Sequence, residues 1–437
     1  MSDGSSITVA GGGLSGCEAA WQLAKRGFKV KLFEARPHFQ TGAHKTDSLA
    51  ELVCSNSLKT IDEAKPAGVL KKELEALDSL LISAAYASSV PAGRALAVDR
   101  ARFSAIVFEK LTENPNIELI REEITEVPEK NAIIATGPLT SPSLANSLGE
   151  LFGSGLYFYD AIAPVVEAQT IDMEHAFYAS RWGKGPGDDY LNCPLNETEY
   201  LSLVDFIRTA DSVEARAFED AKFFESCLPV EVMASRGLDV LRYGPLRPVG
   251  IFHPVTDKRP YAVVQLRAEN LERTAFNLVG FQTRMKYPEQ KKMLALIPAL
   301  RNAQILKYGE IHRNLYINAP EKLSRCFAIP DRENVFITGL LTGMEGYVES
   351  IATGALSGIQ MACELTGKPW TPPPRECALG AICWWLENAP QPYTPTNINF
   401  GLWPPVADVK HSERHAAMVN RANESFKSWK SSLDSWW

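Results

Sequence analysis

Three glycines near the start, Gly11, Gly13 and Gly16, constrain the fold of this chain more than any other feature. They follow a short apolar, β-branched run, Ile7-Thr-Val-Ala10, and open an apolar-periodic stretch, Cys17 to Arg26, that predicts a helix. Gly27 ends that helix, and Phe28-Lys-Val-Lys-Leu-Phe33 reads as the next strand. Glycines at this spacing, in the first turn of a βαβ unit of about 30 residues, form a dinucleotide-binding turn. Gly11 allows the tight turn, Gly13 lets backbone approach a pyrophosphate, and Gly16 lets the helix pack on the strand. With Gly12, Leu14 and Ser15 between them, the helix start offers free N–H groups and a partial positive charge to phosphate. Glu34 ends the second strand, where a carboxylate can accept hydrogen bonds from a ribose, and Arg36 shares that edge.

A second nucleotide signal lies far along the chain. Asn334-Val-Phe-Ile-Thr-Gly339 reads as a buried strand, and a glycine-rich turn follows it through Gly343, Gly346, Tyr347 and Val348 into a helix of small residues, Ser350 to Gly358. A second helix N-terminus can face a flavin ring and stabilise negative charge on its reduced form. That return favours FAD over NAD as the bound nucleotide. Asn131-Ala-Ile-Ile-Ala-Thr-Gly137 is another buried strand ending in a Gly-Pro turn, and Thr136 and Gly137 are expected to bind the cofactor.

The expected fold class is therefore α/β, a Rossmann-type FAD-binding domain (glutathione-reductase-like) with an inserted α+β domain. The breaker cluster Gly183-Lys-Gly-Pro-Gly-Asp-Asp189 marks a boundary. It divides the chain into 1–185 and 325–437, both parts of the FAD-binding domain, with 186–324 inserted between them. Pro372-Pro-Pro374 begins a C-terminal helical appendage. At 437 residues, with 45% apolar and 22% charged residues, the chain can bury two or three cores. No apolar run approaches the ~18 residues of a membrane span. The N-terminus has no room for a signal peptide before its first strand, so a cytoplasmic protein without membrane contact is expected.

Of eight cysteines, none forms a CxxC pair, which gives no sign of structural zinc or a dithiol motif, and no metal site is expected. Cys54 lies among Ser55, Asn56, Ser57 and Lys59, polar neighbours that can favour a thiolate. Cys227 has mainly apolar neighbours with Glu225 and Glu231 close by. Read alone, each is more readily a buried structural cysteine than a nucleophile. The charge of −7 hides a contrast: 186–235 holds 11 Asp/Glu against 3 Lys/Arg, whereas 236–324 holds 15 Lys/Arg against 7 Asp/Glu. In the basic stretch, Arg242, Arg247, Lys258, Arg259, Arg267, Arg284, Lys286 and Arg313 interleave with Tyr243, Tyr261, Phe281, Tyr287 and Tyr316. Such residues suit phosphates and unstacked bases, or a pteridine with an acidic tail; they also suit an ordinary strand-rich domain.

Several strings together are more specific. They include Cys54-Ser-Asn-Ser-Leu-Lys59, Cys227-Leu-Pro-Val-Glu-Val-Met233, Leu241-Arg-Tyr-Gly-Pro-Leu-Arg-Pro-Val-Gly250 and Arg259-Pro-Tyr-Ala-Val-Val-Gln-Leu-Arg267. Asn277-Leu-Val-Gly-Phe-Gln-Thr283, His312-Arg-Asn314, Glu345-Gly-Tyr-Val-Glu-Ser350 and Asn397-Ile-Asn-Phe-Gly-Leu402 complete the set. From about residue 7 to about residue 405 the chain resembles the bacterial folate- and FAD-dependent tRNA (uracil-5-)-methyltransferases, relatives of the GidA group of tRNA-modifying flavoproteins. The resemblance implies methylation of the T-loop uridine in the T-arm of tRNA. Methylenetetrahydrofolate would be the carbon donor, FAD the cofactor, and NADH or NADPH the reductant, visiting the flavin without a domain of its own.

The same resemblance makes Cys227 and Cys54 the catalytic pair. Cys227 would add to uracil carbon 6, and Cys54 would rest on the flavin or remove the carbon 5 proton. Arg284, Lys286, Tyr287, His312, Arg313 and Asn314 would face folate or RNA. The chain departs from the family pattern at Ser226 (usually glycine), at Tyr287 (often tryptophan), at Leu340 (where glutamine is expected) and in the tail after about Pro405. Two alternatives share the sequence features: the same chemistry on ribosomal RNA, and a flavin oxidoreductase with no RNA substrate.

Overall fold

A computed structural model describes residues 6–153, 156–183, 188–213 and 228–435. The first strand, β1 (Ile7–Ala10), sits at the centre of a five-stranded parallel sheet. On one side it pairs with β2 (Val30–Phe33), which pairs in turn with Ile117–Ile120; on the other it pairs with Lys130–Ile134, then Glu333–Ile337. Both faces of a parallel sheet are covered by crossovers, so its strands read as unbroken apolar runs. Val9, Leu32, Ile133 and Phe336 are fully buried accordingly.

The two ends of the chain meet in this domain. The helix Leu14–Lys25 (α1) lies against the helix Tyr347–Leu365. Small residues set the distance: a side chain at Gly354 would come within 2.2 Å of the Ser15 carbonyl oxygen. The small-residue run that suggested a nucleotide-facing helix thus also serves as its packing seam. The helices Ala378–Asn388 and Arg414–Asp434 belong to the same apolar core, through residues such as Leu379, Ile382, Phe426 and Trp429. The segment expected as an appendage therefore packs apolar side chains into the domain's core; Trp436 and Trp437 lie outside the described residues.

The second unit is a six-stranded antiparallel sheet with its own core. Its strand order is Phe177–Ala179, Tyr190–Leu195, Ala262–Ala268, Ala275–Leu278, Val165–Glu167, Ile305–Lys307. The strands at 165–167 and 177–179 precede the breaker cluster, so the sheet begins ahead of that segment, part of which lies outside the described residues. An antiparallel ribbon of Leu156–Ala161 with Ile311–Tyr316 carries the chain between the two units in both directions. Among the described residues no helix is long and apolar enough to cross a membrane.

Candidate functional site

The glycine turn has the geometry its spacing predicts. Gly11 has φ +107°, a conformation side chains rarely adopt, and a Cβ there would strike the Ala135 carbonyl. A Cβ on Gly16 would lie 1.9 Å from the Gly11 carbonyl oxygen, so the helix could not seat on the strand. Gly13 differs: a Cβ there would meet nothing within 4 Å. Its Cα faces a cleft, as a backbone that receives a pyrophosphate requires. The Ser15 hydroxyl donates to Thr338 Oγ1 at 3.0 Å, tying the first nucleotide turn to the end of the last parallel strand.

Glu34 is buried beside this turn. One carboxylate oxygen accepts from the Gly12 N–H at 3.0 Å and from Arg36 Nη2; the other accepts from the Arg36 backbone N–H and Nε. Arg36 also reaches Glu51 at 2.9 Å. Burial works against the Glu34 charge, but the Arg36 guanidinium and these N–H donors hold its carboxyl below the usual range. The carboxylate expected to meet a ribose is thus already an organising acceptor for the turn. Glu34 and Arg36 line one end of the cleft with Phe39 and Glu122.

The cleft continues past Gly13, Thr136 and Gly137 to Gly339, Gly346 and Tyr347. Its wider part encloses about 1530 Å³, open mouth included, and this end also holds Cys54 and Lys59. The joined cleft runs from Glu34 past Gly13 to Cys54 and Tyr347, an elongated form that suits an extended FAD. From the insertion's side the wall is completed by Ile162, Gln282 and Asn314. Gly343 and Val348 do not reach the cleft surface: Gly343 makes room for the Tyr393 ring, and Val348 is core.

Cys54 is half-buried, and its loop is held from several directions. Its backbone N–H donates to Tyr347 Oη at 2.8 Å. Arg100 donates to the carbonyls of Leu52 and Cys54 and pairs with Glu269 at 2.6 Å. Lys307 donates to the Val53 carbonyl at 2.9 Å. Asn56 is fully buried; it donates to the carbonyls of Val98 and Ala268 and accepts from Arg267 Nε at 2.9 Å. Burial pushes both Lys307 and Arg267 below their ordinary values, and the Arg100 charge acts in the same direction on each. Lys59 pairs with the buried Glu349 at 2.7 Å.

Among the described side chains, the residues expected to meet folate or RNA do not form one group. Asn314 lines the cleft. Arg284, Lys286 and Tyr287 follow the wall residue Gln282 but lie outside the lining: Lys286 pairs with Asp211, and Tyr287 stacks on Tyr308 at 4.3 Å and donates to Glu310. The backbones of His312 and Arg313 run in the ribbon beside Asn314, but their side chains lie outside the description. Cys227 lies outside the described residues, as do Glu225 and Ser226. The chain is described again from Leu228, and the Val230 N–H donates to the Gln282 carbonyl at 2.7 Å. Of the interleaved basic and aromatic residues, Arg267, Phe281 and Tyr316 are buried, which removes them from a phosphate- or base-binding surface. Arg242 instead packs over the Tyr261 ring at 4.0 Å. The residues that sequence reasoning missed are Arg100 and Lys307. Nothing local marks them, because their partners are carbonyls 46 to 254 positions away.

Fold and cleft together define a protein with a Rossmann-type FAD-binding fold. The family model described as glucose inhibited division protein A matches residues 6–369. The chain is 49% identical over 426 residues to methylenetetrahydrofolate–tRNA-(uracil-5-)-methyltransferase TrmFO of Geobacter sulfurreducens, covering 97% of this chain and 98% of that one. It is 48% identical over 425 residues to the Bacillus subtilis protein of the same name, covering 96% and 98% respectively. Among solved structures, Aquifex aeolicus GidA superposes with a TM-score of 0.71 at 16% identity, over 97% of this chain and 73% of that one, a likeness of fold. The chain belongs to the GidA family and, within it, to the TrmFO methyltransferases.

Proposed function

We propose that this protein methylates carbon 5 of the T-loop uridine of tRNA, using methylenetetrahydrofolate as the carbon donor, FAD as the cofactor and NADH or NADPH as the reductant. Near-half identity to TrmFO proteins over almost the whole chain carries the assignment of reaction. The observation that carries the assignment of place is Cys54, set at the ring end of the cleft where the two units meet. Bound there, FAD supplies the electrons that convert a transferred methylene to a methyl group.

The protein's own residues account for the rest. The Gly11–Gly16 turn and α1 bind the pyrophosphate, with Thr136 and Gly137 beside it. Gly339, Gly346 and Tyr347, which line the cleft, are proposed to border the ring. Tyr347, Arg100 and Lys307 fix the loop on which the Cys54 thiol is presented. Uracil carbon 5 becomes nucleophilic only when a thiolate adds to carbon 6, and that is the role proposed for Cys227. Cys54 is proposed as the second thiol, which rests at the flavin or removes the carbon 5 proton. Asn314, with Arg284, Lys286, Tyr287, His312 and Arg313, is proposed to meet folate and RNA from the insertion's side. A cytoplasmic location accords with that substrate.

Nucleoside mass spectrometry of cells lacking the protein tests the target. T-loop 5-methyluridine should vanish from tRNA; its retention, with loss of a ribosomal mark, would move the same chemistry to ribosomal RNA.

A further inference from the structure

A hydride from NADH or NADPH brings two electrons and one hydrogen nucleus to the flavin, and the nicotinamide leaves as a cation. The neutral oxidised isoalloxazine ring thereby becomes a reduced form with one net negative charge, held largely on its pyrimidine side. A nearby protein charge sets how readily that happens. Among the described residues lining the ring end of the cleft, Lys59 is the sole lysine or arginine. Two carboxylates line the same end, Glu51, which is engaged by Arg36, and Glu345.

Lys59 is built into place. Its backbone has φ +63°, a left-handed conformation uncommon for a residue with a side chain. Its side chain is 31% exposed, and its amine pairs at 2.7 Å with Glu349, whose side chain is 0% exposed. The pair sits against Gly346 at the N-terminus of the Tyr347–Leu365 helix, where a Cβ would come within 2.8 Å of Lys59 Nζ and 2.3 Å of Glu349 Oε2. Glu349 Oε1 also accepts from the Ile398 N–H at 3.0 Å, while Oε2 is buried and accepts no hydrogen bond. Behind them Lys71 is buried and donates to the carbonyls of Thr60 and Ala67. The result is a cation on the cleft wall with a carboxylate sealed behind it.

We propose that Lys59 opposes the negative charge of the reduced flavin, and that Glu349, from behind, limits how much of the Lys59 charge the ring feels. The pair sets the flavin's reduction potential. This rests on the FAD-binding part of the proposed function and on neither its folate nor its RNA part.

The test is the two-electron midpoint potential of the purified, flavin-loaded full-length protein, measured against a reference dye without folate or RNA. Lys59→Met should weaken reduction about tenfold, which for two electrons is about 30 mV more negative. Glu349→Gln should shift the potential the other way, because the lysine charge is then unbalanced. Lys59→Arg should restore the wild-type value. Unchanged potentials, or shifts of the same sign in Lys59→Met and Glu349→Gln, would overturn the proposal. If Lys59→Met retains no flavin, the sign of the Glu349→Gln shift decides alone. A wild-type protein that takes up no FAD would instead overturn the flavin-binding reading.

Discussion

The backbone N–H of Cys54 donates to the phenol oxygen of Tyr347 at 2.8 Å, across 293 positions of sequence. One residue comes from the first half of the flavin domain and the other from the first turn of the helix that closes it. Tyr347→Phe removes the acceptor and leaves a part-buried donor without its partner, a cost of about 1–3 kcal/mol. Methylation should fall by roughly 10- to 100-fold if that loss is felt where Cys54 must be presented. Flavin content, read from visible absorbance, should stay close to that of the wild type.

The glycines of the turn should fail in different ways. Gly16→Ala places a Cβ against backbone that cannot give, so soluble yield and thermal stability should drop. Gly13→Val fills open cleft, so the protein should fold, with a near-wild-type far-ultraviolet circular dichroism spectrum, yet purify colourless. A yellow Gly13→Val protein would mean that the pyrophosphate lies elsewhere.

How much of this was legible in the sequence depends on the range of each interaction. The first strand–turn–helix and the strand that runs into the second glycine turn are readable because strand, turn and helix signals lie within a few residues of one another. Arg267 shows the limit. It stands in a basic, aromatic-rich stretch and suggests phosphate binding, but it is buried on Asn56, 211 positions away. Composition reports that a guanidinium is present; it does not report which face of a sheet it occupies. The six-stranded sheet was only partly visible for the same reason, since its short strands at 165–167 and 177–179 are recognisable chiefly by their partners.

Arg100 grips the Cys54 loop from the flavin domain and pairs with Glu269 from the other sheet. Arg100→Met should lower methylation roughly 10-fold or more, because it frees two carbonyls at once and leaves Glu269 without its cation. Arg100→Lys should recover only part of this, since an ammonium lacks the forked donors of a guanidinium. Steady-state rates with saturating folate, alongside flavin content, distinguish a misplaced loop from a lost cofactor.

Acid should act through Glu34. Its carboxyl lies below its ordinary 4.5 in the folded protein, so the folded state binds fewer protons than the unfolded one near that pH. The stability it contributes is therefore fully present above about pH 4.5 and is lost as the pH falls through the lower folded value. Glu34→Gln should be less stable than wild type at neutral pH, and the gap should narrow below about pH 4.5. Thermal unfolding followed between neutral and acid pH checks both the offset and its convergence.

The most direct test of the central claim traces one carbon. A T-arm minihelix is incubated with the purified protein, FAD, reduced nicotinamide and methylenetetrahydrofolate carrying an isotopic label in its methylene group. The label is predicted in the carbon 5 methyl group of the T-loop uridine, to disappear when folate or reduced nicotinamide is withheld, and to be absent with Cys227→Ala. Methylation that proceeds without folate, or an unlabelled methyl group, would contradict the account.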